Sequence, residues 1–187
     1  MRPVTVAVTG GIAAGKSEAL AAFARHGAAT ASSDAVVHDL LAHDEEVRAA
    51  IRERWGEDAV GDRARIGELV FADPGELAWL EQLLHPKTRA AVDAWLAEVD
   101  APVAAVEIPL LYETGGESRF DRVVVVTAPG ELRRERRGLF PEREARLIPD
   151  EEKMQRADFS FVNDGSLAAL DAFVAGVVEN LVSSSAV

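Results

Sequence analysis

VTVAVTGGIAAGKS, residues 4–17, is the most informative stretch of this 187-residue chain. Its first part, residues 4–9, is short and rich in β-branched side chains, which favours a buried strand. The apolar pattern from Lys16 to about His26 favours a helix, and Gly27 is placed to end it. The sequence therefore predicts a strand, a glycine-rich turn and a helix in direct succession.

The turn satisfies the pattern G-x-x-x-x-G-K-[ST]. It consists of Gly10, Gly11, Ile12, Ala13, Ala14, Gly15, Lys16 and Ser17. Glycines let successive backbone N–H groups turn towards a phosphate, and the N-terminus of the following helix adds its positive dipole. In this pattern Lys16 contacts the β- and γ-phosphates and the Ser17 hydroxyl binds Mg²⁺. The alternative is a glycine turn with a chance lysine, but the flanking strand and helix favour a nucleoside triphosphate site.

The rest of the chain alternates between strand and helix patterns. Short strands are predicted at residues 28–33, 103–108, 122–127 and near 159–162, and helices at 35–55, 74–99 and about 166–181. Continuous apolar runs such as 103–108 are typical of parallel strands covered on both faces and joined by helical crossovers. Pro86 predicts a break or a new helix start within its segment. The predicted fold class is α/β, a P-loop NTPase-like parallel sheet flanked by helices.

The composition is that of one ordinary globular domain, with 48% hydrophobic and 28% charged residues. Its 32 acidic and 20 basic side chains give a formal charge of −12, which disfavours a general nucleic-acid partner. The absence of cysteine excludes a disulfide framework, a thiolate metal site and a cysteine nucleophile. Because no uninterrupted apolar run is long enough to cross a membrane, we expect a soluble, cytoplasmic protein.

A phosphate-binding loop alone leaves several classes of nucleotide-binding enzyme open. The N-K-x-D motif expected of a GTPase is absent from the sequence, and the chain is too short for motor or transport machinery. A small-molecule kinase needs a base near the acceptor hydroxyl, a carboxylate near the metal and arginines that stabilise the transferred group. The chain has candidates for each of these parts.

Two carboxylates lie at the carboxyl ends of predicted strands, the edge where α/β sheets bind ligands: Asp34 just after one strand and Glu107 at the end of another. Asp34 is a candidate for the group that takes the acceptor proton, and a role as N-cap of the next helix is an equally good interpretation. Glu107 resembles a carboxylate that holds the water shell of a metal. For Glu107, an exposed charge at a strand end is the slightly favoured interpretation.

Further candidates lie in the middle and second half of the chain. His85 is either a residue near a substrate or a helix cap. Residues 109–113 either line an acceptor pocket or pack as a turn. The cluster Arg133-Arg134-Glu135-Arg136-Arg137 is either a solvated face or a lid that closes over triphosphate. Arg133 and Arg137 are four apart and would point the same way on a helix. In so acidic a chain, the lid is the sharper hypothesis.

Together these motifs resemble dephospho-coenzyme A (dephospho-CoA) kinases. The resemblance extends from about residue 4 to 181 and rests on the phosphate-binding loop, Asp34, Leu84-His85-Pro86, Ile108-Pro109-Leu110-Leu111-Tyr112-Glu113, Phe120-Asp121, Ala157-Asp158, Asn163 and Gly165. It implies phosphoryl transfer from ATP, with Mg²⁺, to the ribose 3′-hydroxyl of dephospho-CoA, giving CoA and ADP. The implied partners are these small molecules, for a monomer or weak homo-oligomer without nucleic acid or membrane.

The resemblance also implies roles for residues and regions. Catalytic roles fall on Asp34 as general base, Lys16 and Arg137, and Ser17 binds the metal. Nucleotide-binding roles fall on Gly10, Gly11, Ile12, Ala13, Ala14, Gly15, Lys16, Ser17, Glu18, Arg133 and Asn163, and acceptor-binding roles on Asp34, His85, Arg89, Pro109, Leu110, Leu111 and Glu113. The core covers about 1–33, 101–128 and 159–182, the helical acceptor-binding region about 34–100 and the lid about 129–158.

Three departures from the family pattern leave alternatives open. Ser32-Ser33-Asp34 keeps one acid where the family usually has two, and Ala13 and Ala14 replace the usual glycine and serine. In the lid, the usual Arg-x-x-x-Gln run before the Glu-Glu-Lys stretch is shortened around residues 146–153, and the glutamine of that run is missing. The alternatives are another small-molecule kinase, with a nucleotide or sugar acceptor, and a nucleotide-binding module that does not catalyse.

Overall fold

A parallel five-stranded sheet organises the chain in a computed structural model, which describes residues 2–137 and 147–184. Its strands are β1 (Val4–Gly10), β2 (Ala29–Ser32), β3 (Val103–Glu107), β4 (Arg122–Thr127) and β5 (Phe159–Val162). Their order is β2-β3-β1-β4-β5, and every neighbouring pair is parallel. The predicted fold class is confirmed. Because the connections leave β1 and β3 in opposite directions, their carboxyl ends border the crevice where open α/β sheets bind ligands.

Eight α-helices lie within the described ranges. They are α1 (Lys16–Arg25), α2 (Ser33–His43), α3 (Glu45–Trp55), α4 (Arg63–Ala72), α5 (Pro74–Glu98), α6 (Gly130–Arg137), α7 (Asp150–Arg156) and α8 (Leu167–Ser184). The helical pattern predicted at 35–55 forms two helices, because Asp44 separates them. Its side chain accepts the N–H of Val47 at 2.9 Å and so caps α3.

The chain forms two compact units, Met1–Ser32 with Leu96–Val187, and Ser33–Trp95. The first unit contains the whole sheet with α1 and α8 packed against it. Fully buried members of its core include Val6, Val8, Ala19, Ala22, Phe23, Val124, Leu170 and Val174. Strands β1, β3 and β4 are buried along nearly their whole length, which is the environment that their continuous apolar sequences predict.

The second unit is helical and has a core of its own. Its buried members are Leu41, Val47, Ile51, Ala59, Ile66, Val70, Leu80 and Leu84. The rings of Trp55 and Trp79 pack edge to face beside this core, with centroids 4.9 Å apart. Nε1 of Trp55 donates to the carboxylate of Glu76 at 2.6 Å, which satisfies the polar end of a half-buried ring.

Pro86 does not interrupt its helix, and the predicted break is wrong. α5 is helical from Pro74 to Glu98 with Pro86 inside it. Proline has no N–H to donate to the carbonyl of Gln82, a loss that ends or kinks a helix unless packing compensates. Leu84 before Pro86 and Val92 after it are both buried, so packing holds the helix on each side of the proline.

α8 is an apolar helix of the core. Among the residues that the structure describes, this helix alone is long and apolar enough to be considered as a membrane span, with a mean hydropathy of 1.4. Its buried residues are Leu170, Val174, Val177, Val178 and Leu181. They recur at intervals of three and four residues and pack in the cluster that covers the sheet, which is the pattern of a core helix.

Phe23→Ala tests the core of the sheet unit. Phe23 is fully buried in α1, so its truncation is expected to lower the free energy of unfolding by about 3–5 kcal/mol. Phe71→Ala is a matched control, because Phe71 also lies on a helix but is 64% exposed. Its effect is expected to stay below about 1 kcal/mol. Urea denaturation measures both, and equal losses would contradict the assigned core.

Candidate active site

The loop between β1 and α1 has a backbone that side chains would obstruct. Gly10 has a φ of +141°, and a Cβ there would lie 1.9 Å from the carbonyl oxygen of Val126 in β4. Gly15 has a φ of +103°, and a Cβ there would lie 2.4 Å from Nδ2 of Asn163. Ala13 between them also has a positive φ, of 57°. Turns of this kind direct backbone N–H groups into a concave nest for an anion, here at the N-terminus of α1.

Lys16 lies at the mouth of this nest. Its side chain turns back over the loop, and Nζ donates to the carbonyl oxygen of Gly11 at 2.9 Å. An ammonium group at this place is close to any phosphate that the loop N–H groups bind. The structure therefore brings the predicted lysine and the predicted glycines together.

Ser17 contacts a buried carboxylate at the end of the neighbouring strand. Its hydroxyl donates to Glu107, with Oγ at 3.2 and 3.3 Å from the two carboxylate oxygens. Glu107 is 8% exposed, so its interpretation as an exposed strand-end charge is wrong. A hydroxyl and a carboxylate beside a phosphate nest are the hard oxygen ligands that suit Mg²⁺. No group of three His, Cys, Asp or Glu side chains in the described ranges could hold a metal by itself.

Asn163 braces the loop from the end of β5. Its side chain is buried, Nδ2 donates to the carbonyl oxygen of Ala14 at 2.9 Å, and Oδ1 accepts the N–H of Gly165 at 3.0 Å. Its own N–H donates to the carbonyl oxygen of Thr127 in β4 at 2.7 Å. Asn163 therefore holds the shape of the nest, and its approach to adenine stays a prediction.

Two arginines of α6 lie over the loop. Nη1 of Arg133 is 2.7 Å from the position that a Cβ on Gly11 would take, and Nη1 of Arg136 donates to the carbonyl oxygen of Ala13 at 3.1 Å. Being three residues apart, the two arginines share a helix face. Arg136 is not among the predicted site residues, although the arginine cluster includes it. The predicted catalytic side chain of Arg137 lies outside the described residues, as does 138–146 of the predicted lid.

Asp150, at the start of α7, brings a negative charge to the same place. Its carboxylate lies 3.5 Å from Nη1 of Arg133 and 3.1 Å from the Cβ position of Gly11. Burial raises the pKa of Asp150, and the positive charges of Arg133, Lys153 and Lys16 only partly offset this effect. Nothing in the sequence distinguishes Asp150, because an acid in the first turn of a helix is an ordinary feature.

Three predicted acceptor residues belong to the helical unit. Asp34 lies in the first turn of α2, which begins at Ser33, so it is not the N-cap. Its side chain is exposed and hydrogen-bonds to no residue within 2–137 or 147–184. His85 is partly buried and Arg89 is exposed, and they share a face of α5 because they are one turn apart. These side chains are accessible to a charged ligand.

The predicted acceptor residues 109–111 form a turn after β3. The carbonyl oxygen of Pro109 accepts a hydrogen bond from Oγ1 of Thr9 at 3.4 Å, so the turn is attached to β1. The side chain of Leu111 is fully buried and packs in the interior, and its acceptor-binding role stays a prediction. Pro109 and Leu110 are partly exposed and keep accessible side chains.

Two carboxylates that the sequence analysis places in the site already have partners. Oε1 of Glu113 forms an ion pair with Nζ of Lys153, 2.7 Å away, and accepts a hydrogen bond from the N–H of Ile148 at 3.0 Å. Oε1 of Glu18 accepts from the Arg25 guanidinium at 3.2 Å on the surface of α1. Lys153 is the most deeply buried charged group near the site, and nothing in the sequence distinguishes it, because one lysine in an acidic helix has no distinctive spacing.

Asp150→Asn tests the electrostatics at the mouth of the nest. Because the pKa of Asp150 in the folded protein is raised above its ordinary 3.8, the charged carboxylate lowers stability at neutral pH. The variant is therefore expected to be more stable than the parent at pH 7. This gain should shrink as pH falls through the raised pKa and vanish below 3.8, where both states are protonated.

Urea denaturation across this pH range measures the effect. Asp100→Asn is the matched control, because the side chain of Asp100 is exposed between α5 and β3. A pH-independent difference, or an equal gain in the control, would contradict the burial of a costly charge at Asp150.

Comparison with known proteins agrees with this geometry. A family model described as dephospho-CoA kinase matches residues 4–169. A dephospho-CoA kinase of Mesorhizobium japonicum is 38% identical, and the match covers 95% of this chain and 96% of that protein. A second one, of Thermosynechococcus vestitus, is 36% identical over 90% of each chain.

Solved structures show the same relationship. A dephospho-CoA kinase from Campylobacter jejuni superposes with a TM-score of 0.72 at 26% identity, covering 98% of this chain and 99% of that one. A shikimate kinase from Aquifex aeolicus has a TM-score of 0.55 at 15% identity over 94% and 96% of the two chains, which shows a shared fold only. The glycine nest, the lysine at its mouth and the serine beside a buried carboxylate thus occur in a chain that belongs to the dephospho-CoA kinase family.

Proposed function

We propose that the protein transfers the γ-phosphoryl group of ATP to the ribose 3′-hydroxyl of dephospho-CoA, giving CoA and ADP in the last step of CoA biosynthesis. The observation that carries the proposal is the phosphate nest with Lys16 at its mouth, in a chain whose family match extends over residues 4–169. A kinase of this kind works as a cytoplasmic monomer or weak homo-oligomer, and neither nucleic acid nor membrane takes part.

On the donor side, the loop N–H groups and Lys16 bind the β- and γ-phosphates. Nζ of Lys16 exchanges its hydrogen bond to the Gly11 carbonyl for the phosphate oxygens. Arg133 and Arg136, which lie over the loop, add positive charge where the transferred group develops its negative charge. Arg137 joins them as a catalytic residue, and the segment 129–158 acts as the lid.

Mg²⁺ is assigned to the Ser17 hydroxyl, with Glu107 holding its water shell. When bound, Mg²⁺ neutralises charge on the β- and γ-phosphate oxygens. The 3.2 Å contact between Ser17 and Glu107 supports this assignment, because it places two hard oxygen ligands beside the nest. Glu107 is buried at the end of β3, so the sheet and not the surrounding solvent determines where its carboxylate lies.

On the acceptor side, Asp34 takes the proton from the ribose 3′-hydroxyl. Its exposed carboxylate, without a hydrogen bond to another described residue, supports this role, because a general base has to be able to reach the proton it abstracts. His85 and Arg89 bind the anionic part of dephospho-CoA from one face of α5. Pro109 and Leu110 line the acceptor pocket with apolar surface.

The activity itself is tested with the purified protein, ATP, Mg²⁺ and a panel of acceptors. We expect CoA and ADP from dephospho-CoA, with the new phosphate at the 3′ position by mass spectrometry and ³¹P NMR. Lys16→Ala is expected to lower turnover at least ~100-fold, because it removes phosphate stabilisation. Turnover of a nucleotide or sugar acceptor with none of dephospho-CoA would identify a different kinase. Tight ATP binding without any product would identify a module that does not catalyse.

Asp34→Asn tests the general base. The amide has nearly the same shape but cannot take a proton at neutral pH, so kcat is expected to fall at least ~100-fold. Asp39→Asn is the matched control, because Asp39 lies on the same helix with a side chain that is 75% exposed. Steady-state kinetics with dephospho-CoA compares the two variants. A near-normal kcat in Asp34→Asn would remove its assigned role.

A further inference from the structure

Lys153 is a fully buried lysine, and its ion pair with Glu113 joins two parts of the first unit. Its side chain is 0% exposed, that of Glu113 is 12% exposed, and Nζ lies 2.7 Å from Oε1. The same oxygen accepts the N–H of Ile148 at 3.0 Å. One carboxylate therefore attaches both the segment before α7 and the helix itself to the turn after β3.

Stability alone does not explain this pair. Burying a charged group costs roughly several kcal/mol per ion. A protein with well-packed apolar side chains of similar size in place of the pair is often as stable as the original, or more stable. A buried ion pair instead favours one relative position of the two segments that carry it, because an ammonium and a carboxylate interact well only in a narrow range of positions. Apolar side chains can shift past each other with less loss of contact. The pair between Lys153 and Glu113 is therefore suited to holding two segments in register.

The helix that carries Lys153 also faces the phosphate nest. Asp150, Lys153 and Arg156 recur every three residues and so lie along one side of α7. Asp150 contacts Arg133, whose guanidinium lies over the loop at Gly11. At the other end, the Arg156 guanidinium lies 4.3 Å above a ring in the turn after β3 and pairs with a carboxylate that follows this turn. The ring belongs to Tyr112 and the carboxylate to Glu117.

The turn after β3 is held by burial and by internal hydrogen bonds, and Glu113 adds contacts to residues outside it. Leu111 anchors the middle by burial, and the N–H of Thr114 donates to the carbonyl oxygen of Leu110 at 3.1 Å, which closes the turn internally. Glu113 belongs to the turn and contacts residues outside it, and its carboxylate is almost completely shielded from water. In such a place each hydrogen bond is stronger than it would be in solvent.

We propose that the ion pair between Lys153 and Glu113 is a positioning element that fixes the acceptor-side turn, Pro109 and Leu110 included, relative to the nucleotide-side helix α7. This inference rests on the proposed kinase activity. Neither residue touches the reacting atoms. Their effect is to keep the acceptor surface in register with the phosphate nest, where an error of about 1 Å can cost on the order of 100-fold in rate.

Loss of the pair has a selective consequence. The hydrogen bonds described for Lys16 and Asn163 do not involve Glu113, so we expect ATP binding to be preserved. The acceptor surface loses its register, so the KM for dephospho-CoA rises and a share of the γ-phosphoryl groups goes to water, with ADP released in excess of CoA. A role in stability alone would lower the melting temperature without this difference between the two substrates.

Glu113→Gln, Lys153→Met and Lys153→Arg test the proposal in the full-length protein. The first two are expected to raise the KM for dephospho-CoA at least ~10-fold while the KM for ATP changes less than ~3-fold. Lys153→Arg keeps the charge, and we expect it to recover most of the acceptor affinity. The ratio of ADP to CoA formed is expected to exceed one in the first two variants and to return towards one in the third.

Asp121→Asn is the matched control for Glu113→Gln. The Asp121 carboxylate also has a structural part, because Oδ2 accepts the N–H and the hydroxyl of Thr5 at 2.9 and 2.8 Å. It precedes the first residue of β4 and so lies near the amino ends of the strands, whereas the nest lies at their carboxyl ends. We expect this variant to lose thermal stability with both KM values unchanged.

The outcomes separate the inference from the proposed function. No turnover of dephospho-CoA by the unaltered protein would contradict the proposed function. If the unaltered protein turns over dephospho-CoA normally, two results would contradict only the positioning role. One is that Glu113→Gln behaves like Asp121→Asn, and the other is that both KM values rise equally in Glu113→Gln. If Lys153→Met does not fold, Glu113→Gln and Lys153→Arg, which nearly preserve side-chain volume, decide the question.

Discussion

The approach of Gly10 to the backbone of β4 is the constraint on which the site depends. A Cβ at this position would lie 1.9 Å from the carbonyl oxygen of Val126, and a strand in the middle of a sheet cannot move aside. The chain can therefore leave β1 and enter the nest only where residue 10 has no side chain. The same holds at Gly15, where Asn163 fills the space and braces the loop. Strands β1, β4 and β5 together shape the phosphate nest.

Charge around the nest is arranged locally and opposes the sign of the whole chain. The protein has a formal charge of −12, and residues 129–158 contain eight basic and eight acidic side chains, so this segment is neutral overall. Lys16, Arg133 and Arg136 nevertheless converge on the loop, with Asp150 as a partly buried counter-charge. Because salt screens charges beyond about 8 Å, these close groups outweigh the distant acidic surface for a bound phosphate.

The sequence predicts the strands, most helices and the phosphate loop, because each depends on local periodicity or on a short motif. It fails at Pro86, where burial of neighbouring leucine and valine overrides a local helix breaker. It also fails at Glu107, because the hydroxyl that contacts this buried carboxylate, that of Ser17, is ninety residues away in the chain. The sequence does not predict the parts of Arg136, Asp150 and Lys153 for a related reason. Their residue types and spacing are common, and only their neighbours in space give them a part in the site.

Sequence alone specified an α/β fold with a phosphate nest, since glycines, a lysine and a serine at fixed spacing between a strand and a helix need no distant information. It also supplied the candidate base, Asp34, and the family resemblance. The tertiary structure decided which charges are buried and which groups meet: Ser17 with Glu107, Arg133 with Asp150, and Glu113 with Lys153. Burial and pairing depend on segments far apart in the chain, and the folded sheet brings those segments within hydrogen-bonding distance.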